Sequence, residues 1–96
     1  MRTILTTELF DAWLGGLRDM NGRARIQARI DRAGLGNFGN CAPVGEGVSE
    51  MKIDVGPGYR VYFVQRGLDV VILLAGGDKS TQVKDIAVAK ELARDC

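Results

Sequence analysis

The sequence predicts one α+β domain, residues 1–96, in which three helices lie on a largely antiparallel sheet of four strands. Three observations support this prediction. Residues 8–33 repeat apolar side chains at helical spacing in two consecutive segments, and residues 80–94 return to that spacing. Between them, residues 48–75 alternate or run apolar like strands joined by tight turns. The predicted order is therefore β-α-α-β-β-β-α.

The composition is typical of a globular protein, with 46% apolar and 26% charged residues among 96. The net charge of +1 does not by itself indicate a nucleic-acid-binding protein. Because the chain has no histidine, it lacks the usual general base and the commonest metal ligand, and we predict neither a metal nor a cofactor. Cys41 and Cys96 lack metal-site spacing and are expected to be free thiols. No apolar run exceeds six residues and no signal-peptide core is visible, so we expect a cytoplasmic protein without membrane contact.

The N-terminal part predicts a short strand followed by a helix. Residues 3–6 are the strand candidate, and Thr6 or Thr7 is placed to cap the helix. One helical face then collects the apolar residues Leu9, Phe10, Trp13, Leu14 and Leu17. This face is expected to bury Trp13 in the core.

The second helix is predicted over about residues 22–33, with Asn21 as its cap. Arg25, Arg29 and Arg32 are spaced i, i+4 and i+7, so they form one stripe along it. Such a stripe binds the phosphates of a nucleic acid or is a solvated helix face. The pattern leaves both interpretations open.

The following residues, 37–47, show little periodicity and are predicted to be an irregular surface connection. Residues 48–55 are then expected to form a strand that alternates polar and apolar side chains. Residues 56–58, Gly-Pro-Gly, predict a type II turn into a second strand over residues 59–65. The unbroken apolar run at residues 70–75 predicts a strand buried on both faces, followed by a loop at residues 76–80 that caps the last helix.

This arrangement places several cations on one sheet face. Lys52 and Arg60 can lie side by side across the hairpin with Tyr62 next to them, and Lys79 can reach the same face. Cations beside an aromatic ring can form a phosphate site, whereas the simpler interpretation is a solvated sheet face with a few charges. A nucleotide-hydrolysing phosphate loop at residues 76–80 is rejected, because the required glycine spacing is absent.

Two segments, GPGYRVYF at residues 56–63 and GGDKSTQ at residues 76–82, together with the order of elements, resemble the RelE/ParE superfamily of bacterial toxins. Within it they are similar to the HigB-like "addiction module killer" branch. The resemblance covers nearly the whole chain and implies a RelE-like fold. It implies the toxin component of a type II toxin–antitoxin system, a ribosome-dependent mRNA endoribonuclease (mRNA interferase) that inhibits translation. The implied partners are a cognate helix-turn-helix (HigA-like) antitoxin, the ribosome and mRNA.

The resemblance also implies roles for individual residues. Arg60 matches the family arginine that clamps the phosphate. Lys52 and Lys79 match basic residues of the family that stabilise the charge on the phosphate. A deprotonated Lys52 would instead act as the general base. Tyr62 would stack on a base or donate a proton. The stripe Arg25, Arg29 and Arg32 would contact ribosomal RNA.

The chain departs from the family pattern, because some HigB-like enzymes use histidines and a C-terminal tyrosine that it lacks. The carboxylates of Asp54 and Asp78 are then the nearest candidate bases. Two other functions remain open. One is a ParE-like inhibitor of DNA gyrase without nuclease activity, and the other is a non-toxic binding module.

Overall fold

Five strands form one sheet, and three helices cover its two faces in a computed structural model that describes residues 1–96. The strands are β1 (Thr3–Thr6), β2 (Cys41–Gly45), β3 (Val48–Ile53), β4 (Tyr59–Arg66) and β5 (Val70–Asp78). The helices are α1 (Glu8–Gly16), α2 (Met20–Gly34) and α3 (Gln82–Asp95), the last preceded by a 3₁₀ turn at Lys79–Thr81. The predicted α+β class is confirmed.

The sheet has the strand order β1-β5-β4-β3-β2. Its three pairings among β2, β3, β4 and β5 are antiparallel, and β1 alone pairs in parallel, with β5. The prediction of a largely antiparallel sheet is confirmed. The apolar strand β5 is an interior strand as predicted, since it lies between β1 and β4.

The prediction of four strands is wrong, because residues 41–45 form a fifth strand inside the segment predicted to be irregular. Its partner is β3, and the two residues between them, Glu46 and Gly47, both have positive φ (55° and 79°). This conformation is that of a tight hairpin turn whose twist matches the strands it joins. The strand has weak propensity because it contains Pro43 and ends in glycine, so its pairing with β3 decides its structure.

Several predicted element ends are also corrected. The cap of α2 is Asp19 instead of Asn21, and the helix begins at Met20, because the Asp19 carboxylate accepts the amide of Gly22 at 3.0 Å. Strand β5 continues to Asp78 through the predicted loop, since its pairing with β4 extends that far. Thr7 caps α1, which is one of the two predicted caps.

Each face of the sheet has its own core. Helices α1 and α2 cover the larger cluster, which includes Phe10, Ile26, Met51, Val61 and Leu73. Helix α3 covers the smaller one, which includes Val48, Tyr62, Leu74, Ala89 and Ala93.

The ring of Trp13 packs against the larger cluster over Gly76, where a Cβ would come within 2.2 Å of the ring. Trp13 is half-buried, so its expected burial in the core is confirmed only in part. None of the three helices combines the length and the apolar character needed to cross a bilayer.

Candidate functional site

A basic cleft of about 270 Å³ lies between α2 and the end of β3. We call it the basic cleft, and it is lined by Arg25, Arg29, Arg32, Asn40, Lys52, Ile53 and Asp54. The three arginines face it together because their i, i+4, i+7 spacing places them on one side of α2. The predicted RNA-binding stripe meets the backbone of Lys52 here, whose carbonyl accepts a hydrogen bond from Arg29. The Lys52 side chain leaves the sheet on the opposite face, next to Arg60, because it alternates with Met51 and Ile53 beneath α2.

Within the basic cleft, Arg29 is held by the backbone. Its Nη1 donates to the carbonyl of Lys52 at 2.6 Å, and its Nη2 donates to those of Phe38 and Asn40 at 3.1 and 3.2 Å. Burial, and then the nearby charge of Arg32, lower the pKa of Arg29. Arg29 thus ties the loop before β2 to the end of β3, and it fixes the backbone from which Lys52 projects.

Arg25 and Arg32 are exposed, and Lys52 is half-buried. None of the three has a carboxylate oxygen within 4 Å, because the two ion pairs of the protein involve other residues. Guanidinium groups bind phosphate oxygens in pairs. The basic cleft can therefore accept an anion without first breaking an internal ion pair.

Arg60 lies beside Lys52 across the hairpin, as predicted, but it is 6% exposed. Its Nε lies 3.2 Å from Oε1 of Glu50, and its Nη1 donates to the carbonyl of Tyr59 at 3.1 Å. The other oxygen of Glu50 accepts Nε2 of Gln82, in the first turn of α3, at 2.8 Å. Helix α3 therefore closes over Arg60, so the interpretation of this sheet face as solvated is wrong at Arg60.

Tyr62 lies next to this ion pair and is fully buried. Its hydroxyl has no hydrogen-bond partner. Burial, and then the charge of Glu50, raise the pKa of Tyr62 well above its ordinary value. A nucleobase of RNA could stack on this ring only after α3 moved away from the sheet.

Lys79 is exposed at the start of the 3₁₀ turn, and its aliphatic stem lies over Gly58. A Cβ at Gly58 would come within 2.9 Å of Cε of Lys79, and the positive φ of 81° at Gly58 also favours glycine there. Lys79 lines a second cleft of about 370 Å³ with residues 54–58. Asp54 borders both clefts, so Lys52 and Lys79 lie at the same end of the sheet.

The two candidate carboxylate bases differ in their surroundings. The Ser80 hydroxyl, and then the Ser80 amide, donate to Asp78 and lower its pKa, which makes it a weaker base. Asp54 is exposed and accepts no hydrogen bond from another residue. Of the two, Asp54 is the carboxylate that lines the basic cleft.

Sequence reasoning missed the burial of Arg60 and the roles of its partners. The pairing of Glu50 with Arg60 and Gln82 was not predicted. A signal was present, since Glu50 pairs directly with Tyr62 once the hairpin register is fixed. Asn40 was also missed, because residues 37–47 were predicted to be irregular.

The chain is 51% identical over 92 residues to a Haemophilus influenzae protein described as an "Uncharacterized protein". The match covers 96% of this chain and 93% of that protein. The chain belongs to the same family as that protein. No family model and no solved structure matches the chain.

Proposed function

We propose that this protein is the toxin component of a type II toxin–antitoxin system, of the HigB-like branch of the RelE/ParE superfamily. It acts as a ribosome-dependent mRNA endoribonuclease in the cytoplasm and inhibits translation until a cognate helix-turn-helix antitoxin neutralises it. The observation that supports this best is the basic cleft. There Arg25 and Arg32 lie without ion-pair partners beside the exposed carboxylate of Asp54.

The two segments that resemble the toxin family give further support, because they adjoin each other in space. Tyr59 and Arg60 in GPGYRVYF pair with Asp78 and Gly77 in GGDKSTQ. Both segments line the second cleft, through residues 56–58 and Lys79. A RelE-like fold accounts for this juxtaposition and for the order of elements, with β2 as an added strand at the sheet edge.

The chemistry assigns each group in the basic cleft a role. Asp54 accepts the proton of an RNA 2′-hydroxyl, and the resulting oxygen attacks the adjacent phosphorus. The bond from phosphorus to the 5′-oxygen breaks, which leaves a 2′,3′-cyclic phosphate, and water protonates the leaving oxygen. Arg32 stabilises the charge that develops on the phosphate oxygens, Arg25 binds a neighbouring phosphate, and Lys52 adds positive charge from the adjoining sheet face. The ribosome supplies the alignment that one exposed carboxylate does not.

Primer extension on a translated mRNA tests this proposal, with purified protein in the presence and absence of ribosomes. We expect cleavage at defined sites only with ribosomes, and loss of cleavage in Asp54→Asn and Lys52→Ala. The matched control is Asp69→Asn, which removes an exposed carboxylate in the turn between β4 and β5, away from both clefts. Absence of cleavage by wild-type protein that arrests growth would refute the nuclease assignment.

A second function is favoured by one observation. Arg60 and Tyr62, which the resemblance matches to catalytic positions, are buried beneath α3. A ParE-like gyrase inhibitor needs no catalytic groups, and it would use the exposed basic cleft for binding. Inhibition of gyrase supercoiling by the purified protein, without RNA cleavage, would establish this function instead.

A further inference from the structure

The two outer edges of the sheet are built differently. The edge strand β2 contains Pro43 and a register shift between Pro43 and Gly45, and both features discourage pairing with another strand. The edge strand β1 has no proline, no charged residue and no register shift. Its Leu5 is 48% exposed. Strand β1 therefore lacks the devices that protect the opposite edge.

The backbone of β1 also presents free polar groups. The amide of Thr3 donates to the carbonyl of Asp69 at 2.6 Å, and the amide of Thr7 donates to the carbonyl of Leu73 in β5 at 3.1 Å. In a parallel pair, every second residue of a strand forms its backbone hydrogen bonds with the neighbouring strand. The N–H and C=O groups of Ile4 and Thr6 consequently point away from β5, and no loop or side chain bonds them.

An apolar groove of about 570 Å³ opens beside this edge, between α1, α2 and β1. Its apolar lining includes Ile4, Phe10, Leu14, Ile30, Leu35 and Leu73. Leu35 is 70% exposed, so the protein does not fill the groove with its own side chains. Successive side chains of a strand point to opposite faces, so a strand added to β1 would direct every second side chain over the groove.

The solvent-facing charge of the groove is negative. Asp11 on α1 and Asp31 on α2 line it, both are exposed, and neither forms an ion pair. The basic side chain of the lining, Arg2, points elsewhere, because its guanidinium carbon lies 5.5 Å from the ring centre of Phe38. A ligand complementary to this groove therefore combines apolar side chains with positive charge.

We propose that the β1 edge and this groove form a docking site for an extended segment of a partner polypeptide. Its backbone pairs with Ile4 and Thr6, its alternate apolar side chains enter the groove, and flanking Lys or Arg residues meet Asp11 and Asp31. The groove and the basic cleft lie against different sides of α2. The inference therefore goes beyond the proposed activity and does not depend on it.

The test uses the full chain and a synthetic peptide of alternating leucine and threonine with lysine at both ends. On titration, the NMR signals of the Ile4 and Thr6 amides should shift, and both amides should exchange more slowly with solvent. Thr6→Pro removes one outward amide and should weaken binding about tenfold or more. Thr3→Ala, which leaves the outward groups intact, is its control. Asp11→Asn with Asp31→Asn should weaken binding and reduce its dependence on salt.

Three outcomes would overturn the proposal. The peptide could fail to bind, or it could bind equally well when all of its amides are N-methylated. The latter comparison uses wild-type protein and remains decisive if Thr6→Pro does not fold. The third is slow exchange of Ile4 and Thr6 in the protein alone, with sedimentation showing a dimer, which would assign the edge to a second copy of this chain.

Discussion

The basic cleft and the interior beneath α3 contain the same types of side chain in opposite states. In the basic cleft, Arg25 and Arg32 are exposed and have no carboxylate partner. Beneath α3, Arg60 is buried against Glu50, whose second oxygen is bound by Gln82. Partners and solvent access, more than residue type, therefore decide whether an arginine can bind a ligand or serves the fold.

The largest expected effect is on the buried side of this comparison. Arg60→Ala should lower the free energy of unfolding by about 3–5 kcal/mol, because it leaves the Glu50 carboxylate buried without a cation. Urea unfolding followed by circular dichroism measures this loss. The control is Arg60→Met combined with Glu50→Leu, which removes both charges and should recover most of the stability. An unchanged urea midpoint in Arg60→Ala would show that Arg60 does not serve the fold.

Arg29 shares features of both regions. It lines the basic cleft, but its guanidinium donates hydrogen bonds to three backbone carbonyls. Arg29→Ala should lower the free energy of unfolding by about 2 kcal/mol. The amide of Lys52, which donates to the carbonyl of Asn40 at 2.9 Å, should exchange faster by hydrogen-exchange NMR. Arg29→Lys keeps the charge but loses the planar fork, and it should recover little of the stability. If Arg29→Lys unfolded with the same free energy as wild type, the positive charge alone would account for the contribution of Arg29 to stability.

On the open side, Arg25→Glu combined with Arg32→Glu should change the free energy of unfolding by less than about 0.5 kcal/mol. Binding to ribosomes should nevertheless fall, and its dependence on salt should become shallower. Co-sedimentation with ribosomes over a salt series measures both effects. Arg18→Glu, an exposed charge reversal outside the basic cleft, is the control. Equal binding by the double variant and the control would remove the basic cleft from the interface.

The smallest effect concerns Asp19 and Tyr59, whose hydroxyl donates to the Asp19 carboxylate at 2.8 Å. The Gly22 amide, and then the Tyr59 hydroxyl, lower the pKa of Asp19 below its ordinary 3.8. The stability that Asp19 provides is therefore present above pH 3.8 and is lost as the pH falls through the folded-state pKa.

At alkaline pH, Tyr59 is the residue of this pair whose ionisation lowers the stability. The hydrogen bond to Asp19 raises the pKa of Tyr59 from 10.0 to about 12, so its contribution is present below pH 10 and is lost between pH 10 and 12. The melting temperature of wild type and Asp19→Asn across pH measures both limbs. Asp19→Asn should flatten the acid limb. If the melting temperature of Asp19→Asn fell at low pH as much as that of wild type, other carboxylates would cause the loss of stability in acid.

The sequence by itself determined the elements with strong local signals. Apolar spacing located α1, α2 and α3, the Gly-Pro-Gly turn located the β3–β4 hairpin, and the apolar run located β5 as an interior strand. It also placed Lys52 beside Arg60, because alternation and hairpin register are local properties. The arginine stripe on α2 followed from helical spacing in the same way.

Only the tertiary structure decided which of these residues are accessible. Strand β2 exists because β3 pairs with it, and Arg60 is buried because Gln82, far away in sequence, closes over Glu50. The basic cleft likewise forms only where α2 meets the end of β3. Periodicity states which face of an element a side chain occupies. What covers that face depends on packing between distant segments, and this packing determines the burial and charge pairing of each residue.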